Sequence, residues 1–105
     1  MSWDIELTEQ KLVDVPVAEI GNYTCNVSPM YKLAMGVTLS RMDGELASDW
    51  IETLTRGIED MMYRPSTYLA LEPDNGWGHY DGALRYLKKL RIACIEHPNA
   101  IIRVS

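Results

Sequence analysis

The sequence predicts an α+β domain in which three main helices pack on a small antiparallel sheet. Three observations carry that expectation. Trp3, Ile5 and Leu7 alternate with Asp4, Glu6 and Thr8 at the start of the chain, and Ala100, Ile102 and Val104 alternate with Ile101, Arg103 and Ser105 at its end. Alternation with a period of two marks a half-buried strand. Between the ends lie three stretches whose apolar residues recur with helical spacing. The chain therefore closes as it opens, and the economical arrangement pairs the terminal strand with the first one. With 105 residues, 47% of them apolar and 24% charged, the chain has the size and composition of one globular domain over residues 1–105.

The first strand is followed by a polar stretch, residues 8–11, suited to a turn. Residues 12–17 are then apolar and β-branched, so the N-terminal strand is extended to a hairpin. Pro16 has no N–H to donate and assigns any strand it occupies to a sheet edge. Asn22, Thr24 and Asn26 can bond their own backbone, and residues 21–26 read as a turn. Ser28 and Pro29 form a helix start, serine as the acceptor for an orphan N–H and proline at the first position.

That first helix is expected over residues 29–42, apolar on more than half its circumference, with Gly36 excused by a close approach of another element. Asp43 and Gly44 end it. The second helix begins near Ser48, with Asp49 and Glu52 in its first turn, and carries Ala47, Trp50, Ile51, Leu54, Ile58, Met61 and Met62 on one face. Tyr63, Arg64 and Pro65 terminate it, because the residue before proline is pushed out of the helical region. Residues 66–71 form at most one further turn. The third helix runs from Tyr80 to about Glu96 and stops at His97 and Pro98, with Asp81 and Arg85 placed for an i, i+4 ion pair.

The formal charge of −5 argues against a surface built to neutralise nucleic acid. Acidic residues crowd the first segment (Asp4, Glu6, Glu9, Asp14, Glu19) and basic residues the last (Arg85, Lys88, Lys89, Arg91, Arg103), which suits ends that lie side by side. Acidic Asp4 and Glu6 become cross-strand partners of Arg103. No apolar run reaches the length of a membrane span and the N-terminus has no signal-peptide pattern, so the expected setting is cytoplasmic, without a membrane. There the Asn-X-Thr/Ser matches at Asn22 and Asn26 are coincidental. Cys25 and Cys94 fit neither a redox nor a metal spacing and read as small core residues.

The residues point to binding rather than catalysis. His79 and His97 sit at opposite ends of one helix, too far apart to share a metal, and neither a phosphate-cradling glycine loop nor a serine-nucleophile motif occurs. No metal, cofactor or catalytic residue is expected. Residues 72–84 instead carry a tight turn that feeds into the third helix, with Pro73, Asn75-Gly76 and Gly78 reversing the chain around Trp77. Amide and aromatic side chains gather at two helix starts: Asn22, Tyr23, Asn26 and Tyr31 at the first helix, and Asn75, Trp77, His79 and Tyr80 at the third. Such side chains offer stacking faces and orienting hydrogen bonds. They can serve a protein partner. Alternatively, Tyr31, Trp77 and Tyr80 stack on a small molecule or nucleotide while Arg64, Arg85 or Lys88 meets its phosphate. Catalysis on such a ligand would require a buried carboxylate or histidine of perturbed pKa beside it. A homodimer stays open.

The runs Gly21-Asn22-Tyr23-Thr24-Cys25-Asn26-Val27-Ser28-Pro29-Met30-Tyr31 and Asn75-Gly76-Trp77-Gly78-His79-Tyr80-Asp81-Gly82-Ala83-Leu84, with the ending Ala93-Cys94-Ile95-Glu96-His97-Pro98-Asn99-Ala100, resemble a group of small uncharacterised phage, prophage and bacterial proteins. The resemblance covers most of the chain. It implies a compact cytoplasmic accessory protein of viral or mobile-element origin and supplies no catalytic residues; together with the binding side chains, the expected function is that of a non-enzymatic binding protein acting on a host or phage protein.

Overall fold

A computed structural model describes residues 2–9, 15–76 and 78–105. The alternating N-terminus forms strand β1 (Ser2–Glu9), followed by β2 (Val15–Thr24), helix α1 (Ser28–Met35), helix α2 (Ala47–Tyr63), the short helix α3 (Pro65–Leu69), helix α4 (Tyr80–Glu96) and strand β3 (Ile101–Val104). The sheet is antiparallel in the order β2-β1-β3. The fold is α+β, as the periodicities predict, with the terminal strand against the first. Glu6 stands opposite Arg103 in the ladder, and the Asp4 N–H and C=O both bond to Ser105. Pro16 lies on β2, an edge strand.

Alternation decides which face of the sheet is covered. Trp3, Ile5 and Leu7 of β1 are buried with Ile20 and Ile102, whereas Asp4 and Glu19 are exposed. The helices lie on the apolar side, and the buried cluster continues through Met30, Leu54, Met61, Leu87 and Leu90. Two aromatic contacts tie the layers together. Trp3 donates its indole N–H to Ser40 Oγ at 3.1 Å and packs its ring 5.5 Å from that of Tyr31. Tyr86 of α4 donates to the carbonyl of Gly21 on β2 at 2.7 Å.

Several boundaries differ from the sequence expectation. Residues 21–24 continue β2 rather than turning, with Gly21 at φ 93° beside the register shift between Ile5 and Glu6. The first helix ends at Met35, not at 42. Gly36 adopts φ 82° as its left-handed cap, donating its N–H to Lys32 O, and Leu39–Met42 forms a separate 3₁₀ turn. Among the described residues, its chain neighbours aside, no atom comes within 4 Å of where a Gly36 Cβ would stand, so the left-handed backbone is its role, not close packing. Close approach occurs instead at Gly57, where an added Cβ would meet Met35 Cγ at 2.6 Å.

The helix starts also differ. Ser28 does not cap α1; its hydroxyl donates to Cys25 O at 2.7 Å. Helix α2 has no side-chain cap: its orphan donors at Ala47 and Ser48 bond to the carbonyls of Ala100 and Pro98, so the approach to β3 caps the helix. Glu52 pairs with Arg56 and Asp60 with Arg64 four residues on, whereas the expected pair of Asp81 with Arg85 is not among the ion pairs of the described residues. Of the expected hairpin, residues 10–14 lie outside the described residues.

Candidate functional site

Trp77, the residue at the centre of the expected site, lies outside the described residues. The two runs flanking it do meet. Tyr23 on β2 lays its hydroxyl against the backbone of His79, donating to His79 O and accepting from His79 N–H, both at 3.1 Å. Glycine makes the approach feasible. A Cβ on Gly78 (φ 100°) would fall 2.7 Å from Thr24 Cγ2 and 2.8 Å from Val27 Cγ1, and a Cβ on Gly82 would collide with the Tyr23 hydroxyl. Thr24 in turn accepts from the Asn26 N–H at 3.3 Å and caps the 3₁₀ turn Cys25–Val27 that leads into α1. The start of α4 is thereby pinned on the loop that starts α1.

The phenols at this junction point inward. Tyr31 is fully buried and donates to Ala83 O at 3.0 Å, and Tyr80 is buried and donates to Met61 O at 2.6 Å. Burial pushes both phenols above their ordinary pKa, as it does Tyr86. Tyr31 and Tyr80, expected to stack on a ligand, thus present no open ring face at this junction. Their rings belong to the core because each hydroxyl finds a carbonyl there, which removes the penalty of burying it. Tyr23 is half-buried and stacks on Tyr86 with ring centres 5.6 Å apart.

Amides and imidazole stay outside. Asn22, Asn26, Asn75 and His79 are exposed. Asn22 donates to Ser2 Oγ at 3.1 Å across the ladder, and His79 Nδ1 lies 3.1 Å from Glu72 Oε2. The exposed surface at the junction thus carries polar side chains over a tyrosine clasp.

The cations expected to meet a phosphate do not gather there. Arg64, at the far end of α2, grips Asp60 with two hydrogen bonds, while the Tyr68 hydroxyl makes a short bond to the same carboxylate. The Arg64 and Tyr68 hydrogen bonds hold the Asp60 carboxyl below its usual range, and burial with the Asp60 contact pushes Tyr68 up to about 12. Arg85 and Lys88 are exposed along α4; Lys88 borders a groove of about 370 Å3 with Arg91, Thr55 and Ile92. Cys94 is buried and its thiol pushed up to about 12 by burial, while Cys25 is half-buried; both are free. Among the described residues no group of three or more His, Cys, Asp and Glu converges as a metal site would require.

One surface feature escaped the sequence analysis. A shallow groove of about 870 Å3 lies between α1 and α2, lined by Leu33 and Ala34 on one side and by Arg56, Glu59, Met62 and Tyr63 on the other. Leu33, Met62 and Tyr63 are 45%, 55% and 87% exposed. The signal was present in the spacing: Glu52, Arg56, Glu59 and Tyr63 follow i, i+4, i+7, i+11 and form one outward row on α2. No protein-family model matches the chain, and neither a curated protein nor a solved structure is similar to it.

Proposed function

We propose that this chain is a non-catalytic binding protein whose partner is another protein, and that it serves a phage or mobile element by acting on a host or phage protein. The observation that carries this reading is the division of side chains at the junction of the α1 and α4 starts. Tyr31 and Tyr80, the rings a base would stack on, are buried with satisfied hydroxyls. Asn22, Asn26, Asn75 and His79 remain outside, where a protein surface can meet them. Arg64 is committed to Asp60, which weakens the alternative of a nucleotide held by phosphate. Burial raises the pKa of the Tyr31 and Tyr86 phenols and of the Cys94 thiol, so these groups stay protonated near neutral pH and do not supply an ionised nucleophile or base.

The test is photo-crosslinking in the native host cell, with a photoreactive phenylalanine at Asn26 and, as a control, at exposed Thr67. A discrete adduct with one other protein from position 26, absent from position 67, is the expected outcome. Indistinguishable adducts from both positions, or a small molecule retained in the native mass spectrum of protein purified from those cells, would overturn it.

A further inference from the structure

We propose that the outward row of α2, with the α1–α2 groove beside it, is the interface of a homodimer in which the two α2 helices run antiparallel. The inference is independent of the junction described above. Glu52, Arg56, Glu59 and Tyr63 are all exposed and lie on the side of α2 opposite buried Leu54, Ile58 and Met61. Read along the helix, the row is acid, base, acid, phenol.

Place a two-fold axis between Gly57 and Ile58, and the row meets itself reversed. Arg56 then faces Glu59 of the second copy, Glu59 faces its Arg56, and each Tyr63 faces a Glu52 carboxylate to which its hydroxyl can donate. Every polar contact occurs twice, as an isologous interface requires. A parallel pairing would set Arg56 against Arg56 and Glu59 against Glu59, so the charge order selects the antiparallel one. Within one chain, Arg56 pairs with Glu52 at 3.1 Å through side chains 71% and 80% exposed. Such a surface pair is readily exchanged.

Apolar contact accompanies the charges. Tyr63 is 87% exposed, and Leu33 and Met62 line the same groove; a second copy covers them. A 17-residue helix is about 25 Å long and 10 Å wide. One such ridge with its groove is small beside the roughly 800 Å2 per partner of a standard interface. The dimer is accordingly expected to dissociate on dilution.

Charge reversal tests the pairing directly. Sedimentation of the wild type at micromolar concentration should give twice the 12.0 kDa chain mass, falling toward the single mass on dilution. Arg56→Glu and Glu59→Arg alter exposed side chains, so circular dichroism should be unchanged; each variant alone should sediment as a monomer. In an equal mixture the Arg56→Glu chain presents carboxylates at both positions and the Glu59→Arg chain presents guanidinium groups at both, so the mixture should restore the doubled mass. A wild type that remains monomeric, as it would if the groove served a different protein, overturns the proposal. So does a dimer that survives in both single variants, or a folded mixture that fails to re-form it.

Discussion

Gly36 and Gly57 illustrate how the same residue type answers different physical demands, and substitution separates them. Gly36 stands at φ 82° in open space, where an L side chain is strained by about 1–2 kcal/mol. Gly57 is an ordinary helical residue whose Cβ would press on Met35 and reach Ala34 at 3.6 Å. Gly36→Ala should lower unfolding free energy by about 1 kcal/mol, and Gly36→Asn by less, because asparagine tolerates the left-handed region. Gly57→Ala should lower it by about 1 kcal/mol as well, since overpacking outweighs the gain in helix propensity. Urea denaturation measures both, and trimming Met35 to Ala should relieve only the Gly57 variant. The sequence marked Gly36 as exceptional but not why: positive φ and close packing both call for glycine, and they are told apart only by what surrounds it.

At the scale of elements, the joint between α2 and α3 rests on one carboxylate. Asp60 accepts from Arg64 and from Tyr68, and these bonds lower its pKa. A carboxyl whose folded pKa is depressed stabilises above its unfolded value and loses that contribution as pH falls through the folded one. The loss should therefore develop below about pH 4. Asp60→Asn should flatten this acid limb, seen as a smaller fall in the urea midpoint between neutral and acidic pH, and should speed amide exchange in Pro65–Leu69. An acid limb identical to that of the wild type would contradict the role given to Asp60. Helix α2 itself was legible because its apolar face repeats through four turns. The end of α1 was not, because Leu39 and Met42 satisfy the helical period and are buried although the backbone has left the helix at Gly36.

For the molecule as a whole, the buried phenols bind sheet and helices into one titrating unit. Tyr86 joins α4 to the sheet and Tyr31 joins α1 to α4 through their hydroxyls, Tyr68 is raised to about 12, and Tyr31, Tyr80 and Tyr86 are raised with it. A tyrosine whose folded pKa lies above its unfolded one contributes stability that is complete below the unfolded value and declines as pH rises toward the folded value. Between about pH 10 and pH 12 the unfolded chain loses its phenolic protons first. Stability should therefore drop steeply there, measured as a fall in the urea midpoint monitored by circular dichroism between about pH 10 and pH 12. Tyr68→Phe should make the decline shallower; an alkaline limb identical to that of the wild type would refute it.

The sequence alone determined that two alternating ends enclose three helical stretches, two of them long, and that acid at one end suits base at the other. Periodicity and charge are local properties of a chain, so strand, helix and the pairing of β1 with β3 followed from them. What only the tertiary structure decided was the fate of individual side chains. It drew Tyr31 and Tyr80 inward onto carbonyls 52 and 19 residues away, clasped Tyr23 on His79, and left Tyr63 in the open. A phenol is equally suited to a core and to a surface, and the choice depends on whether a distant carbonyl arrives to accept its proton.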